Sequence, residues 1–165
     1  MTTLRAMSLL AGTITMGLVA GVFALYAHTI MPGLRGTDDR TFVAAFQSID
    51  RAIINPWFMT SAFLGAPLFT VAAVLLNLGR TALPWTAVAL ALYGVAFAVT
   101  VAVNVPLNDA IKTAGNPDHI RDLADVRERL HETRWAAWNL VRVVTSTGAF
   151  ACLAWALVLY GRSTG

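Results

Sequence analysis

Four stretches of the chain contain no Asp, Glu, Lys or Arg: residues 6–34, 52–79, 81–108 and 143–161. A helix needs roughly 20 mainly apolar residues to cross the hydrocarbon of a bilayer. Each stretch reaches or approaches that length. A soluble bundle of four such helices would lack the polar surface to face water. Only 13% of the 165 residues are charged, against about 25% in an ordinary soluble domain. The expected fold is therefore all-α, an integral membrane four-helix bundle forming a single domain over residues 1–165. Its helices are expected at about 8–30, 56–77, 84–105 and 135–159.

Local signals fix the boundaries. The first apolar stretch continues through GVFALYAHTIM, past the 7–15 residues typical of a signal-peptide core, so it is read as a retained helix. Gly17 and Gly21 share one of its faces, at a spacing that lets helices approach closely in lipid. Pro32 and Gly33 are expected to stop it. In DRTFVAAFQSIDRAI, Phe42, Phe46 and Ile49 recur at helical spacing, which predicts a short amphipathic helix at the interface. Asn55, Pro56 and Trp57 make an entry to helix 2 as cap, first-turn proline and interfacial aromatic. Pro67 is expected to kink that helix, which is tolerated where neighbours or waters satisfy the freed carbonyl. The short NLGRTALPW link makes helices 2 and 3 antiparallel neighbours. GNPDH is a turn, and Asn116 or Asp118 is expected to cap the helix that follows it. After the turn, Ile120, Leu123, Val126 and Leu130 predict a short helix with a solvated charged face, able to continue into helix 4. The short interfacial helices all fall on one side of the bundle.

The remaining composition excludes several functions. The lone Cys152 allows neither an intrachain disulfide nor a cysteine metal cluster and is expected to pack as a small apolar group. His28, His119 and His131 are scattered, and no carboxylate pair lies inside a helix, so no metal and no cofactor are expected. The net charge of +3 comes from a few arginines, not a basic stripe, so nucleic acid is not an expected partner. Membrane lipids are. One side of the bundle carries Arg5, Arg80 and Arg162, and the other carries all nine acids with eight of the basic residues. The count of Lys and Arg puts that second side in the cytoplasm. The start of helix 1, resembling a signal anchor, favours cytoplasmic termini instead. The latter is the orientation expected, in a bacterial plasma membrane.

An even number of helices brings the ends of helices 1 and 3 to the starts of helices 2 and 4. That step gathers the unusual polar residues: His28, Asn55, Asn104, Asn108, Asp109, Trp135, Trp138, Asn139 and Arg142. Asn104 and Asn108 share a helix face, with Pro106 between them disturbing the last turns of helix 3. VNVPLND is thus expected to close that helix. Arg142 stands two turns into helix 4, where an ionisable group is costly and points to function. The alternatives are a snorkelling side chain or a structural pair with Asp109. Asn139 either serves a site or bonds to Asn104 or Asn108 across the helix interface. His28 could act as a base, a ligand or an interface residue.

NVPLN at 104–108 with WAAWNLVR at 135–142 resembles the four-helix membrane family called domain of unknown function 1772, or anthrone oxygenase-like. The resemblance extends to the glycine-rich first helix and the NP entry of helix 2. It carries over Asn104, Pro106, Asn108, Trp135, Trp138, Asn139 and Arg142, and it implies oxidation of anthrones to anthraquinones by some members.

Two functions compete on this reading. In a cofactor-free oxidoreductase, Arg142, Asn139 and Asn104 would stabilise a developing oxyanion, and His28 or Asp109 would take the benzylic proton. Trp135, Trp138, Asn108 and Asn55 would hold a flat apolar aromatic substrate. In a non-catalytic protein, the same pocket would bind a lipid or quinone-like molecule, or scaffold a membrane partner. A transporter of this size, lacking an evident inverted repeat, would need at least a dimer. Assembly into a homo-oligomer is otherwise left open.

Overall fold

The computed structural model describes residues 2–164. Six α-helical segments account for most of them: α1 (Thr2–Arg35), α2 (Asp39–Ile53), α3 (Trp57–Leu76), α4 (Leu83–Lys112), α5 (Leu123–Glu128) and α6 (Glu132–Thr164). No strand occurs among the described residues. Helices α1, α3, α4 and α6 are long and apolar enough to cross a membrane, and the chain is a multi-pass integral membrane protein. Their cyclic order is α1, α3, α4, α6, each packed on the next. Small residues make the close approaches: Ala62, Ala66, Ala89, Ala96 and Ala149 are buried in the central core. Of the two glycines expected to do this, Gly17 lies against the Phe150 ring, where an added Cβ would stand 3.1 Å from it. Gly21 faces open space. Cys152 packs at the edge of the same core.

The prolines do not end the helices. α1 runs through Pro32 to Arg35, and α4 runs through Pro106 to Lys112. Pro32 and Pro106 each follow a π turn, at Tyr26–Ile30 and Thr100–Asn104, and a third π turn, Trp57–Phe63, precedes Pro67. In each, one N–H reaches back five residues: Met31 to Tyr26, Val105 to Thr100, and Leu64 to Met59. A proline in a regular helix collides with the carbonyl four residues earlier and leaves it unpaired. The wider turn makes room, so the helix continues. At Pro67 the freed carbonyl belongs to Phe63, and the Tyr93 hydroxyl donates to it at 2.7 Å. The expectation that VNVPLND closes its helix is thus corrected: it lies inside α4.

These continuations carry α1 and α4 well beyond the length a bilayer requires, and the uninterrupted α6, 33 residues long, is as extended. α1 has 34 residues, about 50 Å at 1.5 Å per residue. The protruding ends, with α2 and α5, enclose a second apolar core that includes Met31, Phe42, Phe46, Leu107, Ile111, Leu130 and Trp135. Asp38 starts α2, accepting from the Thr41 hydroxyl at 2.7 Å and its backbone N–H at 3.0 Å. Those bonds hold its carboxyl below the usual range. Gln47 fastens α2 to the end of α4 by donating to the carbonyls of Ile111 (3.0 Å) and Gly115 (3.1 Å). Asn116 caps only the turn Pro117–His119; α5 is capped instead by Asp122, which accepts from the Asp125 N–H at 2.9 Å, because the turn intervenes between Asn116 and the helix. Helix α5 does not run on into α6: His131 adopts φ 49°, the left-handed region, and separates α5 from α6. Arg127 is not a solvated surface charge. It donates to the carbonyls of Thr37 and Arg35 and to Asp39 and Glu132, and its guanidinium lies 4.2 Å over Phe42.

Tyr93→Phe strands the Phe63 carbonyl and is expected to cost about 1–3 kcal/mol, measured by thermal unfolding in detergent. Pro67→Ala restores an N–H for that carbonyl, so the tyrosine substitution should cost markedly less in the Pro67→Ala background. Equal costs in both backgrounds would contradict the pairing.

Candidate functional site

A cavity of about 180 Å³ lies where the four membrane helices meet α2. α1 contributes Phe23 and Tyr26, α2 Asp50, α3 Phe58 and Met59, α4 Thr100, Asn104 and Asn108, and α6 Trp135 and Arg142. The helical repeat explains the set. Trp135, Asn139 and Arg142 are spaced by four and three, as are neighbours on one helical face, and Thr100, Asn104 and Asn108 are spaced by four. The walls are mostly apolar and aromatic, which suits a flat, apolar ligand. Ile54 and Val105 also line the cavity and are 57% and 41% exposed. They form an apolar mouth.

The polar side chains form a chain of hydrogen bonds whose direction is fixed by chemistry. Indole N–H only donates, so Asn108 presents Oδ1 to Trp135 Nε1, at 2.7 Å. Its Nδ2 then donates to Asp50 Oδ1, also at 2.7 Å. Lys112 Nζ stands 3.2 Å from Asp50 Oδ2 and 2.7 Å from Asp109. The contact to Oδ2 is an ion pair without hydrogen-bond geometry, so that oxygen keeps accepting capacity. Asn104, fully buried, donates from Nδ2 to the Trp135 carbonyl at 3.3 Å, which leaves its Oδ1 without a partner.

Arg142 is 6% exposed. One terminal nitrogen donates to Asn139 Oδ1 at 2.8 Å, and the other to Thr100 Oγ1 at 3.4 Å. Asn139 in turn donates to the Phe23 carbonyl at 3.1 Å, tying α6 to α1. The guanidinium centre lies 4.4 Å from the Phe23 ring and 5.4 Å from Trp135. Among the described residues no carboxylate comes within ion-pair reach of it. Two of its five N–H groups are used, and Nε is buried without a partner. A buried cation so placed has spare capacity for an anion.

The residues expected to form the site divide into two groups. Asn104, Asn108, Trp135 and Arg142 line the cavity, with Asn139 bracing Arg142. The expected bond from Asn139 to Asn104 or Asn108 does not form, and Arg142 does not pair with Asp109. Four residues lie elsewhere. His28 is on the exposed side of the π turn, bonded to Thr29 at 2.6 Å. It is two residues past Tyr26, about 200° round the helix. Asp109 is one residue past Asn108, about 100° round, and holds Lys112. Trp138 is offset from Asn139 in the same way and is 38% exposed. Asn55 caps α3, accepting from the Phe58 N–H at 2.9 Å.

Asp50 is the principal residue the sequence reading passed over. Phe42, Phe46 and Asp50 recur every four residues, which puts a carboxylate on the apolar face of an amphipathic helix. That was the available signal. Tyr26, Phe23 and Thr100 carried none beyond ordinary helix composition. Among the described residues no three His, Cys, Asp or Glu side chains gather to hold a metal.

Removing Asn108 strips a partner from both Asp50 and Trp135. Asn108→Ala is therefore expected to lower thermal stability in detergent more than Asn104→Ala, which deletes one long hydrogen bond and an already unpartnered oxygen. The reverse order would contradict the network.

No curated protein and no solved structure matches the chain. A family model described as anthrone oxygenase does, over residues 54–152. That span covers more than half of the sequence, including the α3 cap, both asparagines of α4 and the Trp135–Arg142 face of α6. The chain belongs to the anthrone oxygenase family.

Proposed function

We propose that the cavity oxidises flat aromatic ketones of the anthrone type with dioxygen, using side chains alone. One observation carries this reading: a carboxylate, Asp50, and a buried guanidinium without a carboxylate partner, Arg142, line one aromatic cavity. Asp50 takes a proton from the benzylic carbon of the ketone. The electron pair left behind delocalises onto the ketone oxygen, where Arg142 stabilises the charge. Phe23, Tyr26 and Trp135 flank the rings. The carbanion forms a C–O bond to dioxygen and becomes a hydroperoxide, with the proton returned from Asp50. Loss of water then leaves a second ketone. In sum a CH2 group and O2 become C=O and H2O, and dioxygen is the sole oxidant. Asp50 takes the role first given to His28 or Asp109. Both termini are assigned to the cytoplasmic side of a bacterial plasma membrane, on the signal-anchor character of the start of α1.

Cavity size favours a second reading, non-catalytic capture of a quinone or lipid-like molecule. A cavity of about 150 Å³ accepts one benzene ring, and this one is only slightly larger. A three-ring substrate must leave part of itself at the Ile54–Val105 mouth, against lipid.

Oxygen uptake by the protein in nanodiscs, offered anthrones, separates the two. The oxygenase reading expects quinone formation above the spontaneous rate, insensitive to chelator. Asp50→Asn should slow it about 100-fold or more and Arg142→Gln by a similar factor. His28→Gln should leave it within about twofold. Uptake at the spontaneous rate from folded protein would sink this reading and leave ligand capture.

A further inference from the structure

The opposite end of the bundle holds a second cleft, of about 480 Å³. Arg5 of α1, Asn77 at the end of α3, Arg80 and Thr81 of the following turn, and Tyr160 and Ser163 of α6 line it. Gly79, at φ 71°, makes the turn that brings Arg80 there. The Tyr160 hydroxyl donates to the Thr2 carbonyl at 2.8 Å and closes one side.

The charge at this end is uncompensated. Every acidic residue of the chain lies between Asp38 and Glu132, at the far end, alongside a matching number of Lys and Arg. The net charge of +3 therefore resides in Arg5, Arg80 and Arg162, with no Asp or Glu side chain paired to them among the described residues. Arg162 is stacked toward Trp155, 5.7 Å from its ring. Among the described residues, Arg5 and Arg80 line the cleft without an ion-pair partner, and Arg5 Nε has no hydrogen bond. The burial of Nε fixes the Arg5 side chain against the bundle, and its charge faces no acidic side chain among the described residues. Asn77, Tyr160 and Ser163 spend their donors on the carbonyls of Ala73, Thr2 and Tyr160, so the two guanidiniums supply the binding capacity, and guanidinium groups match a phosphate in charge and in bidentate donor capacity. Leu4, one residue before Arg5, and Leu78, two before Arg80, are exposed large apolar residues. They offer a lipid-facing surface on which acyl chains could run from a phosphate held in the cleft.

We infer that this cleft binds a phosphate-class anion, as a phospholipid headgroup or as the free ion. Its occupancy fixes the ends of α1, α3 and α6 without involving the Asp50 cavity, so it is independent of the oxygenase reading. The test is native mass spectrometry of the detergent-solubilised full chain. It is offered phosphatidylglycerol or phosphatidylcholine at equal concentration, with and without millimolar inorganic phosphate. Phosphatidylglycerol adducts should exceed phosphatidylcholine adducts. Arg5→Gln with Arg80→Gln should lower apparent affinity for phosphatidylglycerol about tenfold or more, while Arg5→Lys with Arg80→Lys retains most of it and Arg121→Gln changes nothing. Displacement by inorganic phosphate identifies the free ion as a ligand, and resistance to it identifies the lipid. Should the double glutamine variant fail to fold, Arg80→Gln alone, in an exposed turn, is expected to give a several-fold loss. Equal retention of the two lipids, or unchanged affinity in folded glutamine variants, would overturn the site.

Discussion

Arg142 is a guanidinium held inside a helical bundle without a carboxylate, and the arrangement of the helices around it follows from that constraint. A buried charge is tolerated only where other groups replace its water. Here the replacement comes from α6 itself and from two neighbouring helices, α1 and α4. Asn139 joins Arg142 to the Phe23 carbonyl of α1, Thr100 approaches from α4, and the rings of Phe23 and Trp135 face the cation. α6 is thereby tied to both of its neighbours at one depth. Neutral oxygens and ring faces satisfy the cation only in part, which leaves attraction to spare for a ligand oxygen that acquires negative charge.

The second constraint is how the helices pass their prolines. π turns ahead of Pro32, Pro67 and Pro106 let α1, α3 and α4 continue where an unmodified α-helix would break. Two of the continued helices extend beyond the membrane and provide walls on which α2 packs. Gln47 then locks α2 to the end of α4, one turn ahead of Asp50. The carboxylate is thus supplied by the segment outside the four spans, and the cation by the bundle itself. A site built this way lies at the base of an extramembrane cap, open at an apolar mouth.

Much of this was legible in the sequence because lipid imposes strong rules. Charge-free runs identify membrane helices almost regardless of their neighbours. Intramembrane Asn and Arg residues stand out because they are costly, and Asn104, Asn108, Trp135 and Arg142 do converge. What could not be read depends on local rotation. Trp138, Asp109 and His28 differ from lining residues by one or two positions, and a residue step turns a helix by about 100°. π turns add further rotation that composition does not reveal. Helix ends at Pro32 and Pro106 were misplaced for the same reason. Asp50 was overlooked because the helix bearing it was assigned to the interface as a connection, whereas tertiary packing makes it a wall of the cavity.

The most direct measurement is the ionisation of a hydroxylated anthraquinone dye bound in the cavity, followed by its colour as pH is varied. A buried cation lacking a carboxylate should favour the phenolate. The account predicts that the bound dye ionises about one pH unit or more below its value in protein-free nanodiscs, and that Arg142→Gln abolishes the difference while the dye still binds. A bound dye that titrates as it does in lipid alone, in folded wild-type protein, would contradict the claim that Arg142 is held ready for an anion.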